Sequence, residues 1–107
     1  MGVAIKQNDT SPVIAATLKD ASGTPVNLTA ATVQFHMRKI GGSTLKVDAA
    51  ATLVDAAQGS IKYTWTGSDT DSAGNYSAEF EVTYSDGTIE TFPNGGNISV
   101  IIAQNLG

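Results

Sequence analysis

The sequence predicts an all-β fold, an antiparallel sandwich or barrel of about 7–9 short strands. Three observations predict it. Between Gly74 and Tyr84, the residues Tyr76, Ala78, Phe80, Val82 and Tyr84 alternate with Ser77, Glu79, Glu81 and Thr83. Successive strand side chains point to opposite faces, so this stretch has one apolar and one wet face and reads as the central strand. Clusters of Gly, Pro, Asn, Asp and Ser then punctuate the chain at intervals that suit short strands. Finally, the apolar residues of Gly74–Tyr84 would scatter around the axis of a helix, and no other stretch carries a convincing helical period.

In chain order, Val3 to Lys6 is a short first strand, and the polar stretch from Gln7 to Pro12 breaks it. Pro12 to Lys19 is extended, with Ile14, Ala16 and Leu18 on one face. Asp20 to Pro25 is a turn, and Val26 and Leu28 are inward anchors on a short extended piece. Thr32 to Lys39 is a strand with Val33, Phe35 and Met37 inward and Gln34, His36 and Arg38 outward. Gly41-Gly42 is its hairpin turn and Leu45 to Val47 the return. The alanine-rich Asp48 to Ala51 fits either extended chain or one helical turn. Ala51 to Val54 is a short strand, turned by Asp55 to Gly59.

Ser60 to Thr66 puts Ile61, Tyr63 and Trp65 on one face, which marks it as central. Gly67 to Asn75 is a polar loop before the strand that starts at Gly74. Asp86-Gly87 reads as a two-residue type I′ hairpin turn. Thr88 to Phe92 returns from it, Pro93 to Asn97 is a second loop, and Ile98, Val100 and Ile102 form the last inward face.

The 107 residues form one domain, 1–107, with enough chain for a core without covalent staples. With no cysteine there is no disulfide, thiolate metal site or thiol nucleophile, which fits synthesis in a reducing cytosol. The net charge of −4, with basic residues scattered, argues against a nucleic-acid partner. No apolar run approaches the ~20 residues of a membrane span, and the apolar part of the N-terminus is too short for a signal peptide. Lys6 stands where a myristoylation motif has Ser or Thr. Asn8, Asn27, Asn75 and Asn97 open N-x-Ser/Thr sequons, which come cheaply in a Ser/Thr-rich chain and carry little weight without a secretion signal.

Asp71-Ser-Ala-Gly-Asn-Tyr76 resembles the tyrosine corner of immunoglobulin-like sandwiches, in which a tyrosine hydroxyl bonds to upstream backbone and pins the cross-sheet loop. Tyr76 is thus the expected structural corner, and Trp65, Phe35 and Phe80 are expected to replace a core disulfide by packing. A second resemblance spans nearly the whole chain. Ile5 to Pro12, Leu18 to Gly23, Asn27 to Phe35, Gly74 to Val82, Ser85-Asp-Gly87 and Phe92-Pro93 resemble the N-terminal immunoglobulin-like domain of phage baseplate upper proteins. That resemblance implies an immunoglobulin-like sandwich made in the host cytoplasm and located in the virion. It implies contacts with other virion proteins, capsid or tail, and a homo-oligomer in the particle. It implies no catalytic motif and no cofactor. The chain stops after the one domain, without a stalk or distal part, and this favours a small head-decoration or tail accessory role. The alternative is a module that binds carbohydrate or another host-surface group.

The candidate sites are few. His36 is the only histidine and lies on the predicted wet face; alone and without cysteine it builds no common zinc site. Glu79 and Glu81, two apart on one face, have the spacing of an inverting glycosidase pair, but alternating Glu is also how a solvated sheet face looks. Asp69 to Gly74 begins like a calcium loop, yet Ala73 and Phe80 occupy positions where ligands belong. No catalytic, cofactor or metal residue is assigned. A two-residue turn at Asp86-Gly87 would set Glu81 opposite Phe92 and turn Phe92 outward. Ile101 is out of phase with Ile98, Val100 and Ile102, so Phe92 and Ile101 form the expected partner interface. A bulge before Pro93 would instead turn Phe92 inward.

Overall fold

The computed structural model describes residues 2–106. Strand β7 (Gly74–Thr83) is the longest, and Tyr76, Ala78, Phe80 and Val82 are all buried along one of its faces. Along one flank it pairs antiparallel with β3 (Thr32–Lys39), setting Phe35 opposite Phe80 and Met37 opposite Ala78. Two strands share the other flank: β9 (Ile98–Ala103) takes Gly74 to Ala78, and β8 (Ile89–Phe92) takes Phe80 to Thr83. β1 (Gly2–Lys6) runs parallel to β9, and β4 (Leu45–Ala50) closes the far edge on β3. The sheet order is β1-β9-β7-β3-β4, with β8 also on β7.

The second sheet has the order β2-β6-β5, from β2 (Ile14–Thr17), β6 (Ser60–Tyr63) and β5 (Thr52–Asp55). The two sheets pack as an all-β sandwich, as the alternation predicts. Phe35 joins them. Its ring stacks on Tyr63 at 4.4 Å, meets Trp65 edge-on at 5.8 Å and lies 5.2 Å from Phe80. Offset and edge contacts of this kind add to the burial of large apolar area. Trp65 lies beyond the end of β6 but stays buried, so the core outlasts the strand.

The alanine-rich stretch from Asp48 to Ala50 is extended, with Asp48, Ala49 and Ala50 opposite His36, Phe35 and Gln34. The sheet ladder outweighs the helical propensity of alanine there. The chain changes sheets at Ala51, whose N–H donates to the Val33 carbonyl at 2.9 Å. A single 3-10 turn (Ala56–Gln58) follows β5.

The β7–β8 hairpin departs from the two-residue expectation. Tyr84 N–H donates to Thr88 O at 2.8 Å and Gly87 N–H to Tyr84 O at 2.9 Å, so the loop is Ser85-Asp86-Gly87. Only Gly87 has a positive φ, +88°, which is the three-residue loop ending in a left-handed residue. The register moves by one, Phe92 falls opposite Phe80, and Phe92 is 3% exposed. The expected outward placement of Phe92 is therefore corrected: the loop's extra residue turns it into the core.

The same shift places Glu90 beside Tyr84, whose hydroxyl donates to Glu90 Oε1 at 2.7 Å. Desolvation by burial, with the Glu90 carboxylate as acceptor, pushes the Tyr84 phenol up to about 12. A phenol raised in the fold contributes stability that is complete below its unfolded value near 10 and is lost as pH rises through about 12. The urea midpoint of the protein is thus expected to fall between those pH values. Tyr84→Phe is expected to remove part of that slope, and an unchanged slope would show that the Tyr84–Glu90 bond carries none of it.

Candidate functional site

The described residues offer one worked polar face and one apolar rung, both on the outer side of the larger sheet. The polar face centres on His36, half-buried between its cross-strand neighbours Asp48 and Glu79. His36 Nε2 lies 3.2 Å from Asp48 Oδ1, and Gln34 Nε2 donates to the same oxygen at 2.9 Å. Glu81 stands opposite Gln34, and Glu79 opposite His36. The two glutamates therefore belong to the cross-strand pairing of a sheet face, where opposite polar groups stabilise the ladder.

The loop that starts like a calcium site uses its carboxylates otherwise. Asp69 is buried and accepts the Tyr63 hydroxyl at 2.6 Å and the Thr66 N–H at 2.8 Å. Burial first, then the Asp69 carboxylate, pushes the Tyr63 phenol far up. Asp71 pairs with Lys46 Nζ at 2.5 Å, and this hydrogen bond holds its carboxyl below the usual range. Among the described residues no three His, Asp or Glu side chains are grouped to hold a metal ion.

Thr70 ties the same loop to the first one. Its side chain is fully buried, its hydroxyl donates to Asp9 O at 2.8 Å, and its own carbonyl accepts Asn8 N–H at 2.9 Å. Tyr76, buried at the start of β7, donates its hydroxyl to Ser72 O at 2.7 Å. This is the corner bond, directed four residues upstream. Removing a buried donor leaves that carbonyl short of a partner. Tyr76→Phe is expected to cost about 1 kcal/mol and to lower Tm by about 4–8 °C in a domain of this size. A loss within error in calorimetry would mean that water replaces the tyrosine.

Of the two residues expected at a partner interface, Phe92 is in the core and Ile101 is 48% exposed on the outer face. Ile101 lies on a rung the sequence reading left incomplete. It pairs with Ala4 on one side and Asn75 on the other, and Asn75 O accepts the N–H of Ile40, itself 62% exposed. Ile40 lies just past a strand end, and only the pairing of β3 with β7 reveals that it shares a rung with Ile101.

A third feature lies at the lateral opening of the sandwich, between β2 and the loop after Phe92. It is a groove of about 320 Å³ lined by Ala16, Leu18, Phe80, Phe92, Pro93 and Ile98, with Lys19 at its side. No single stretch of sequence announces it, because its walls come from both sheets.

Comparison with known proteins agrees with this architecture. In structure the chain is similar to the N-terminal domain of phage TP901-1 ORF48, with a TM-score of 0.63 and 17% sequence identity. The likeness covers 94% of this chain and 83% of that one, and at that identity it concerns the fold. No curated protein sequence matches the chain. The family model described as the BppU N-terminal domain matches residues 2–105. The chain therefore belongs to the family of N-terminal domains of phage baseplate upper proteins, structural components of the virion.

Proposed function

We propose that the chain acts as one non-enzymatic, immunoglobulin-like domain that holds to other virion proteins of the baseplate by rigid protein–protein contacts. Family membership is the observation that carries this reading. The orders β2-β6-β5 and β9-β7-β3-β4 correspond to the B-E-D and G-F-C-C′ arrangements of immunoglobulin-like sandwiches, and Tyr76 stands at the corner position. A stiff double-layer core is suited to presenting a fixed surface. The exposed Ile40 and Ile101 supply apolar contact area on one rung, and repetition of the domain around the tail makes a homo-oligomeric arrangement part of the proposal.

The aromatic residues favour protein contact over sugar binding. Phe35, Tyr63, Trp65, Tyr76, Phe80 and Phe92 are buried and Tyr84 is half-buried, which leaves no exposed aromatic platform among the described residues.

Quantitative mass spectrometry of purified virions tests the reading. The chain is expected in the particle at a copy number comparable to baseplate proteins. A number comparable to the major capsid protein would move it to the head, and absence from the particle would overturn the structural role.

A further inference from the structure

We infer that the free side of β2 is a strand-acceptor site, which takes an extended segment of another virion protein carrying alternate apolar side chains and a carboxylate. The inference rests on the structural virion role proposed above and names the surface that performs it.

The backbone phase of β2 comes first. Leu18 N–H donates to Gly59 O at 2.8 Å, continuing the register in which Ala16 faces Ile61 and Ile14 faces Tyr63. Hydrogen-bonded and non-bonded pairs alternate along an antiparallel ladder. Ile14 and Ala16 therefore direct their N–H and C=O groups to β6, Leu18 gives its N–H to Gly59 and takes the Val26 N–H on its C=O, and Ala15 and Thr17 direct theirs to the open side. Both residues are exposed.

The edge is also undefended. Among the described residues, the strands with a free side are β1, β2, β4, β5 and β8. Proteins commonly protect such edges with charge or a bulge. β1 carries Lys6, β4 carries Lys46 and Asp48, β5 carries Asp55 and an irregular register, and β8 carries Glu90. β2 reads Ile-Ala-Ala-Thr, without charge, proline or bulge.

The groove lies directly beside that edge. Side chains of an incoming strand that share the facing of Ala16 and Leu18 would enter it and meet Phe80, Phe92 and Ile98. Its volume is at the lower end of the range for binding clefts. Main-chain bonds to an open edge combined with pockets for alternate side chains is the recognition mode of strand addition. The charge of the occupant follows from Lys19. It is the only charged residue lining the groove, and it has no ion pair among the described residues of a chain of net charge −4. A partner carboxylate completes the site.

Hydrogen exchange of the full chain, free and in purified virions, tests this. In the particle the amides of Ala15 and Thr17 are expected to gain about 100-fold protection, and a carbodiimide cross-link is expected between Lys19 and a carboxylate of a different virion protein. Thr17→Pro removes one outward N–H and leaves the β6 ladder intact, so it is expected to abolish incorporation while Tm stays close to wild type. Lys19→Glu, which does not touch the backbone, is expected to lower incorporation by roughly fivefold. Unchanged exchange at Ala15 and Thr17 in virions that contain the chain would overturn the site and leave the structural role standing. Lys19 cross-links to a second copy of this chain would also overturn it. Absence of the chain from virions would remove both readings.

Discussion

Phe35→Ala is expected to destabilise the protein by about 3–5 kcal/mol, the usual cost of emptying a buried phenylalanine site. Phe35 has no exposed surface, and its ring touches Tyr63 and Trp65 across the sandwich and Phe80 within its own sheet. The cavity would thus open where the layers meet. Backbone relaxation there is limited, because Phe35 is paired on both sides, with Ala49 and with Phe80. For a domain of about 100 residues the loss corresponds to a Tm decrease of at least about 12 °C. Phe35→Leu keeps most of the volume and is expected to cost clearly less. Equilibrium urea unfolding of both variants checks the pair. Equal losses would show that the aromatic contacts, and not the filled volume, set the cost.

Much of this core was legible from period-two alternation alone. In β3, β6 and β7 an apolar residue recurs at every second position; β3 and β7 lie where that pattern puts them, while β6 stops at Tyr63, short of the expected Thr66, with Trp65 still buried beyond it. The pattern works because each of these strands has one face on the core, so a one-residue slip would expose every large side chain. β8 lacks this protection. Ile89 and Phe92 fall on opposite faces, so the alternation does not decide between registers. The turn decides, and Asp86-Gly87 fits both a two-residue loop and the last two positions of a three-residue loop. In the structure Asp86 Oδ1 accepts Thr88 N–H at 2.9 Å and its hydroxyl at 2.6 Å, which stabilises the longer loop. Those bonds hold the Asp86 carboxyl below its ordinary range.

The candidate sites were less legible, since they depend on which strands are neighbours. The pairing of His36 with Asp48 was within reach, because the Gly41-Gly42 hairpin brings the two strands together. The link between Lys46 and Asp71 crosses 25 residues and has no local signal. The free side of β2 was invisible for the same reason. An edge is defined by the absence of a neighbour, and sequence does not show that β1 joins β9 in the opposite sheet instead of covering β2.

The second large effect concerns the support beneath that edge. Gly59→Ala is expected to cost about 2–5 kcal/mol, well beyond a conformational penalty alone. Gly59 has φ +68°, a region that costs an L-residue roughly 1–2 kcal/mol. The added Cβ would also lie 2.6 Å from Leu18 O, 2.8 Å from Val26 O and 3.2 Å from Val26 N. All three are backbone atoms, so no side chain can swing aside. They are also bonded to one another: Leu18 N–H donates to Gly59 O, and Val26 N–H donates to Leu18 O at 2.9 Å. Relief of the clash therefore pulls on the end of β2 and on the segment that carries the buried Leu28. Gly23→Ala separates the two contributions, since Gly23 has φ +86° but open space where its Cβ would go. It is expected to cost only the conformational part, about 1–2 kcal/mol. Similar losses for the two variants in urea unfolding would show that the chain yields around Gly59. A larger loss at Gly59 would show that close backbone approach holds β2 rigid, as an acceptor edge requires.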